Sequence, residues 1–198
     1  EATIIDGLKA KVSFNNDSGY TYDYLYYNAN HPYKEDNGRV LDKNRFLISN
    51  LFEAFVTYDK TWGDFAFGAM AGHSFQKTSM RTSSIDAQNF PSPSFNTVGV
   101  AAVISGVTGG LSEYALESWY GRLNFAWKDR YVLNATLRAD GSSRFAPKCR
   151  WGVFPSVSLG WNVSKEDFWP NPATELKIRA SYGMTGNQDG ISNYGWQP

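Results

Sequence analysis

The chain has 198 residues, 19 basic and 19 acidic side chains, one cysteine and 16% aromatic residues. Balanced charge gives no electrostatic reason to bind nucleic acid or an anionic membrane surface, since both need a clustered excess of Lys and Arg. With Cys149 alone, the chain forms no internal disulfide and offers no multi-cysteine metal cage.

No stretch approaches the roughly 18 to 20 consecutive apolar residues of a membrane-crossing helix, so a membrane would be crossed as a barrel. Mean hydropathy is −0.43 although Trp, Tyr and Phe are abundant. That pairing suits a wall with one lipid face and one wet face, where alternate residues cancel in an average; a soluble β-sandwich shares part of the signature. Residues 1–6 hold no basic segment followed by an apolar core, so no signal peptide is expected there.

Period-two alternation runs the length of the chain. Leu8, Ala10, Val12 and Phe14 are set against Lys9, Lys11, Ser13 and Asn15. Phe46, Ile48, Phe52, Ala54, Val56 and Tyr58 alternate with Leu47, Ser49, Leu51, Glu53, Phe55 and Thr57, with Asn50 interrupting the apolar set. Phe65, Phe67, Ala69, Ala71 and Phe75 then oppose Ala66, Gly68, Met70, Gly72, Ser74 and Gln76. The clearest run puts Trp119, Leu123, Phe125 and Trp127 on one face and Ser118, Tyr120, Arg122, Asn124 and Ala126 on the other. After 128–130 it continues as a hairpin partner, with Tyr131, Leu133, Ala135, Leu137 and Ala139 opposite Val132, Asn134, Thr136, Arg138 and Asp140. Trp151, Val153, Pro155, Val157, Leu159, Trp161 and Val163 form the next apolar face, aromatic near both ends as interfacial girdles require. Pro155 lacks a ladder donor and predicts a bulge or an unpaired position. The last run sets Leu176, Ile178, Ala180, Tyr182 and Met184 against Lys177, Arg179, Ser181 and Gly183.

The pattern predicts an all-β, antiparallel transmembrane barrel segment of about seven strands, with the rest of the barrel supplied by flanking strands. The connections read as long at 28–44, short at 60–64, long at 78–116, short at 128–130, longer at 141–150 and then 165–175. That rhythm matches long extracellular loops and short periplasmic turns, except for the last, whose length and prolines Pro170 and Pro172 the pattern leaves unexplained.

Chemistry-bearing residues are sparse. His31 and His73 are not in metal-ligand spacing. Asp140, Gly141, Ser142, Ser143 and Arg144 lack the oxygen ladder of a calcium loop and the setting of a nucleophile elbow, and read as a rim loop shaped by turn chemistry. The Gly-rich stretch 106–110 is not followed by the Lys and Ser or Thr of a phosphate loop and reads as a mobile loop. Tyr20, Tyr22, Tyr24, Tyr26 and Tyr27 suit either a sugar-stacking surface or an outer aromatic girdle, the girdle being preferred. No catalytic, cofactor-binding or metal-binding residue is predicted. Strand alternation points Arg122, Arg138, Lys177 and Arg179 into a lumen, to line a solute path or to pair with carboxylates of a plug.

From Ser118 onward the chain resembles the SusC/RagA family of TonB-dependent outer-membrane transporters. The residues that carry the likeness are SWYGRLNFAWKDRYVLNATLRADGSSRF, RWGVFPSVSLGWNVSKEDFW and LKIRASYGMTGNQ, in that order, with NLFEAFVTYDKTWGDFAFGAMAGHSFQ resembling the preceding hairpin. Cys149 departs from the ordinary loop residues usual at its position. The resemblance implies that residues 1–198 are part of a barrel domain in the outer membrane of Bacteroidota, with the plug and TonB box outside this sequence. It implies energy-coupled import of a bulky nutrient, glycan or peptide, and no enzymatic activity. The implied partners are a SusD-like surface lipoprotein, the TonB complex reached through N-terminal parts, and outer-membrane lipid. A passive porin-like barrel and a soluble carbohydrate-binding β-sandwich are the alternatives.

Overall fold

The computed structural model describes residues 1–31, 37–170 and 174–196. These form one eight-stranded sheet whose spatial order is the chain order: β1 (Ala2–Ile5), β2 (Leu8–Tyr27), β3 (Arg39–Trp62), β4 (Phe65–Gln88), β5 (Val103–Trp127), β6 (Tyr131–Ser142), β7 (Trp151–Asn162) and β8 (Lys177–Gly183). Helix among the described residues is confined to three short 3-10 turns, Val98–Val100, Pro147–Cys149 and Val163–Lys165. The sheet exceeds the predicted count by β1, a four-residue strand. It folds back on β2 through Gly7, at φ 80°, where any Cβ would lie 2.4 Å from the Asp59 carbonyl oxygen. Asp59 in turn donates its backbone N–H to the Gly7 oxygen at 2.9 Å.

The chain divides into two compact units, residues 1–15, 51–77 and 114–198, and residues 16–50 and 78–113. In the first unit the predicted faces are present. Trp119 pairs with Ala139, Leu123 with Ala135, Phe125 with Leu133 and Trp127 with Tyr131. The same face continues through Leu133 with Leu159 and Ala135 with Val157, then Leu159 with Ala180 and Trp161 with Ile178. This face is left open rather than packed: Trp119, Leu123 and Leu137 are 55%, 53% and 56% exposed. A two-sheet sandwich would bury these side chains in its core, so the soluble alternative is excluded. On β7 the outward residues Trp151 and Trp161 mark its two ends. At about 3.3 Å per residue and a tilt of about 40°, that separation corresponds to roughly 25 Å along the membrane normal, the height of a barrel's apolar band.

Pro155 causes no bulge. The β6–β7 register is continuous, with Pro155 opposite Leu137. Its carbonyl accepts from the Met184 N–H at 3.0 Å, so its donorless nitrogen faces the same side, just beyond the last ladder residue of β8. A missing N–H is harmless where no strand waits for it.

Strand ends depart from the alternation. Residues 39–44, 60–62, 78–88, 103–116 and 141–142, read from sequence as connections, belong to strands. The Gly-rich stretch 106–110 is also strand rather than loop, and a Cβ on Gly109 would meet the Thr82 carbonyl at 3.4 Å. The physical reason is length. A tilted strand crosses a bilayer with about 9–11 residues, whereas β3, β4 and β5 have 24, 24 and 25. The excess ladder is wet on both faces and needs no apolar alternation to persist. In the second unit it is secured instead by a small core of Val40, Ala87 and Phe90, with Tyr26, Val98 and Ala101 against it. Part of the predicted loop 28–44 and Pro172 of the last connection lie outside the described residues.

Candidate functional site

The register places Arg122, Arg138, Lys177 and Arg179 on one face, opposite the apolar one: Arg122 pairs with Thr136 and Tyr120 with Arg138, Arg179 with Gly160 and Lys177 with Asn162. Their surroundings differ. Arg138 is held by Asp140, two residues on and hence on the same face of its own strand, with Nε 2.7 and 2.9 Å from the two carboxylate oxygens. Its Nη2 donates to the buried Ser118 hydroxyl at 3.0 Å, and its guanidinium lies 5.9 Å from the Tyr120 ring centroid. Arg138 is thus already paired with a carboxylate of its own strand. Arg122, Lys177 and Arg179 are exposed and pair with no carboxylate among the described residues.

The stretch 140–145 is a structural knot. The Ser142 N–H donates to the Arg150 oxygen at 3.0 Å and the Ser143 N–H to the Ala115 oxygen at 2.9 Å, while Ser143 Oγ accepts from the Ala115 N–H at 2.8 Å. Arg144 reaches across to residues near the chain's end, with Nε 2.9 Å from Asn193 Oδ1 and Nη1 3.0 Å from the Gln188 oxygen, and its guanidinium 4.4 Å from the Tyr114 ring. Beside it lies a cavity of about 370 Å³ lined by Asp140, Ser142, Arg150, Asn187 and Gln188 among others. Gln188 Oε1 is buried without a partner among the described residues. Of the residues read as a rim loop, Asp140, Gly141 and Ser142 are the end of β6, and Ser143 and Arg144 lie in the turn that follows it; Cys149 is an exposed free thiol.

Glycines on the polar face seat aromatic rings. A Cβ on Gly72 would fall 2.6 Å from the Tyr120 ring and 2.7 Å from Phe55 Cβ, and Cβ atoms on Gly152 and Gly186 would meet Phe154 at 2.7 and 2.4 Å.

At the short-turn end, Phe65, Trp127, Tyr131 and Trp161 form an aromatic row, with centroid separations of 6.0, 5.7 and 6.4 Å. Glu166 anchors it: Oε1 accepts from Tyr131 OH at 2.8 Å and Trp161 Nε1 at 3.0 Å, and Oε2 accepts from Arg130 at 2.9 Å. The indole N–H, then the phenol, hold the Glu166 carboxyl below its ordinary value against the opposing effect of burial, and Arg130 adds to the depression. Asp167, with Glu166, holds the Arg130 guanidinium above its ordinary value. The unexplained length of connection 165–175 thus includes this anchor, which alternation cannot reveal because its residues lie outside any strand.

On the apolar face, sequence reasoning missed a polar group. His73 Nε2 lies 3.1 Å from Glu117 Oε1, which also accepts from Trp119 Nε1 at 3.3 Å, and the His73 and Trp119 rings are 4.4 Å apart. Both residues have the outward parity of their strands, and that parity was the signal available. His31 packs edge-on against Tyr27. Among the described residues no three His, Cys, Asp or Glu converge as metal ligands. In the second unit, Tyr22 OH donates to Asp42 at 3.3 Å and Tyr26 OH to the Pro93 oxygen at 3.4 Å, while Tyr20 and Tyr24 reach Asn44 and the Asn96 oxygen. The tyrosines are polar tethers of that unit.

Residues 3–197 match the family model described as TonB dependent receptor-like, beta-barrel. The chain is 31% identical over 201 residues to TonB-dependent receptor P39 of Formosa agariphila, covering 94% of this chain and 19% of that protein. It is 42% identical over 85 residues to TonB-dependent receptor SusC of Bacteroides thetaiotaomicron, covering 42% of this chain and 8% of that one. Among solved structures, the RagAB peptide transporter superposes with a TM-score of 0.88 at 23% identity, over 97% of this chain and 22% of that chain. The chain thus spans about a fifth or less of the proteins it matches.

Proposed function

Because the chain belongs to the TonB-dependent receptor-like β-barrel family, a family of outer-membrane receptors and transporters, we propose that it forms part of the wall of an energy-coupled importer for a bulky glycan or peptide. The observation that carries this reading is the match along nearly the whole chain to a receptor barrel, on a sheet with one open apolar face and one polar face. In this reading the wall performs no catalysis. It encloses a plug, which couples to the TonB complex, and its long-loop end meets a SusD-like lipoprotein that closes over the substrate. Arg122, Lys177 and Arg179 then face the lumen as uncommitted cations, free to meet carboxylates of the plug or of a peptide. Arg138, neutralised by Asp140, stiffens the wall.

The test is an in-frame deletion of the full-length gene in its host, grown on single glycans and peptides as sole nutrient, beside a strain lacking TonB. Loss of growth on one nutrient class in both strains is the expected result. Loss in the first with normal growth in the second would replace energy-coupled import with a passive pore.

A further inference from the structure

The outward face of the first unit carries a furrow with a volume of about 600 Å³. Its floor is made by small residues, Ala54, Ala71 and Gly121 among them, and Leu137 and Trp119 stand along it. Two residue pairs beyond the Trp119–Ala139 pair on β5 and β6, on the same face, lies Glu117, opposite Gly141, which in turn pairs with Trp151. Glu117 therefore sits at the level of the Trp151 girdle, where headgroups rather than hydrocarbon surround the barrel.

A carboxylate on an outward face calls for a partner. Glu117 Oε1 is occupied by the His73 and Trp119 N–H groups, while its second oxygen accepts from no described residue, and the side chain is 41% exposed. Glu117 is not itself in the furrow's lining, but His73 and Trp119, the two groups that hold it, are; an apolar furrow bordered by a held carboxylate has the polarity of a lipid whose headgroup donates hydrogen bonds and carries positive charge. We propose that this furrow binds one ammonium-bearing lipid of the outer membrane, its acyl chain lying over Ala54, Ala71 and Gly121 and its ammonium on the free oxygen of Glu117. His73 positions the carboxylate through Oε1 and so turns Oε2 toward the headgroup. The inference rests on the barrel's outer-membrane location and not on what the transporter carries.

The full-length barrel, reconstituted in nanodiscs of equal phosphatidylethanolamine and phosphatidylglycerol and then extracted in mild detergent, tests this by mass spectrometry of retained lipid. The wild-type protein retains phosphatidylethanolamine in preference to phosphatidylglycerol. Glu117→Gln, which keeps the shape and removes the charge, lowers retained phosphatidylethanolamine by about tenfold, as loss of a charge-assisted hydrogen bond does. Ala71→Phe fills the furrow with an apolar group that a lipid-facing site tolerates, and lowers both lipids; Ala135→Phe, on the same face outside the furrow, changes neither. Equal retention of phosphatidylethanolamine by wild type and Glu117→Gln would overturn the proposal. So would a cross-link between two barrels through residue 71 with no lipid retained, which would make the furrow a contact between copies.

Discussion

Leu137 and Thr136 are neighbours on β6 with opposite fates. Leu137 pairs with Gly121 and Pro155 on the apolar face, and Thr136 with Arg122 and Ser156 on the polar one. An Arg on the lipid side near the bilayer midplane costs about 2–4 kcal/mol, whereas one on the wet side is hydrated. Leu137→Arg is therefore expected to reduce folded barrel far more than Thr136→Arg, measured as heat-modifiable protein in outer membranes of cells making the full-length chain. Equal loss would mean that β6 is out of register by one residue. A second residue-scale test concerns the seat under Tyr120. Gly72→Val places atoms where the Tyr120 ring and Phe55 lie, an overpacking that costs about 1–3 kcal/mol. Adding Tyr120→Ala should recover much of the loss in the same assay, a coupling that two independent sites would not show.

The connection after β7 behaves as a clamp on the ends of its neighbours, since Glu166 alone receives N–H or O–H groups from Arg130, Tyr131 and Trp161. Its folded carboxyl titrates below the ordinary 4.5. A depressed carboxylate contributes stability that is complete above the unfolded value and is lost as pH falls through the folded one. The melting temperature of the full-length barrel is thus expected to exceed that of Glu166→Gln at neutral pH, with the gap closing as pH falls below the ordinary carboxyl value and through the lowered folded one. A gap that persists in acid would show that the clamp works by shape and not by charge.

What the sequence made legible at this scale follows from where each element sits. The runs around Trp119, Leu133 and Val157 face lipid on one side only, so hydrocarbon imposes the alternation that reveals them. Residues 103–116 have water on both sides of their strand, nothing imposes a period, and glycines there look like a loop. Arg138 with Asp140 was readable as an i, i+2 pair on one face. Glu117 with His73, 44 positions apart, and Arg144 with Asn193, 49 apart, depend on register and chain return, which composition does not encode.

For the molecule as a whole, the connections fall alternately at two ends of the sheet because the strand order follows the chain. Asp64, beside Gly63 at φ 56°, lies in the tight β3–β4 turn; Cys149 lies in the β6–β7 connection at the opposite end. With short turns in the periplasm, the native thiol is expected to react with a membrane-impermeant maleimide in intact cells. In a Cys149→Ser background, Asp64→Cys is expected to react only after the outer membrane is permeabilised. The reverse pattern would invert the barrel.

An order that never crosses over also governs how such a wall can change over evolutionary time. Each hairpin meets only the strand before it and the strand after it, so extra residues placed in the stretch between β4 and β5 lengthen a loop without re-threading anything. A whole hairpin can be gained or dropped and the ladder on either side still closes, with the lumen widening by a fixed increment for each pair. The wall thus grows like a fence, panel by panel, and its circumference and the ornament at its rim are free to vary independently.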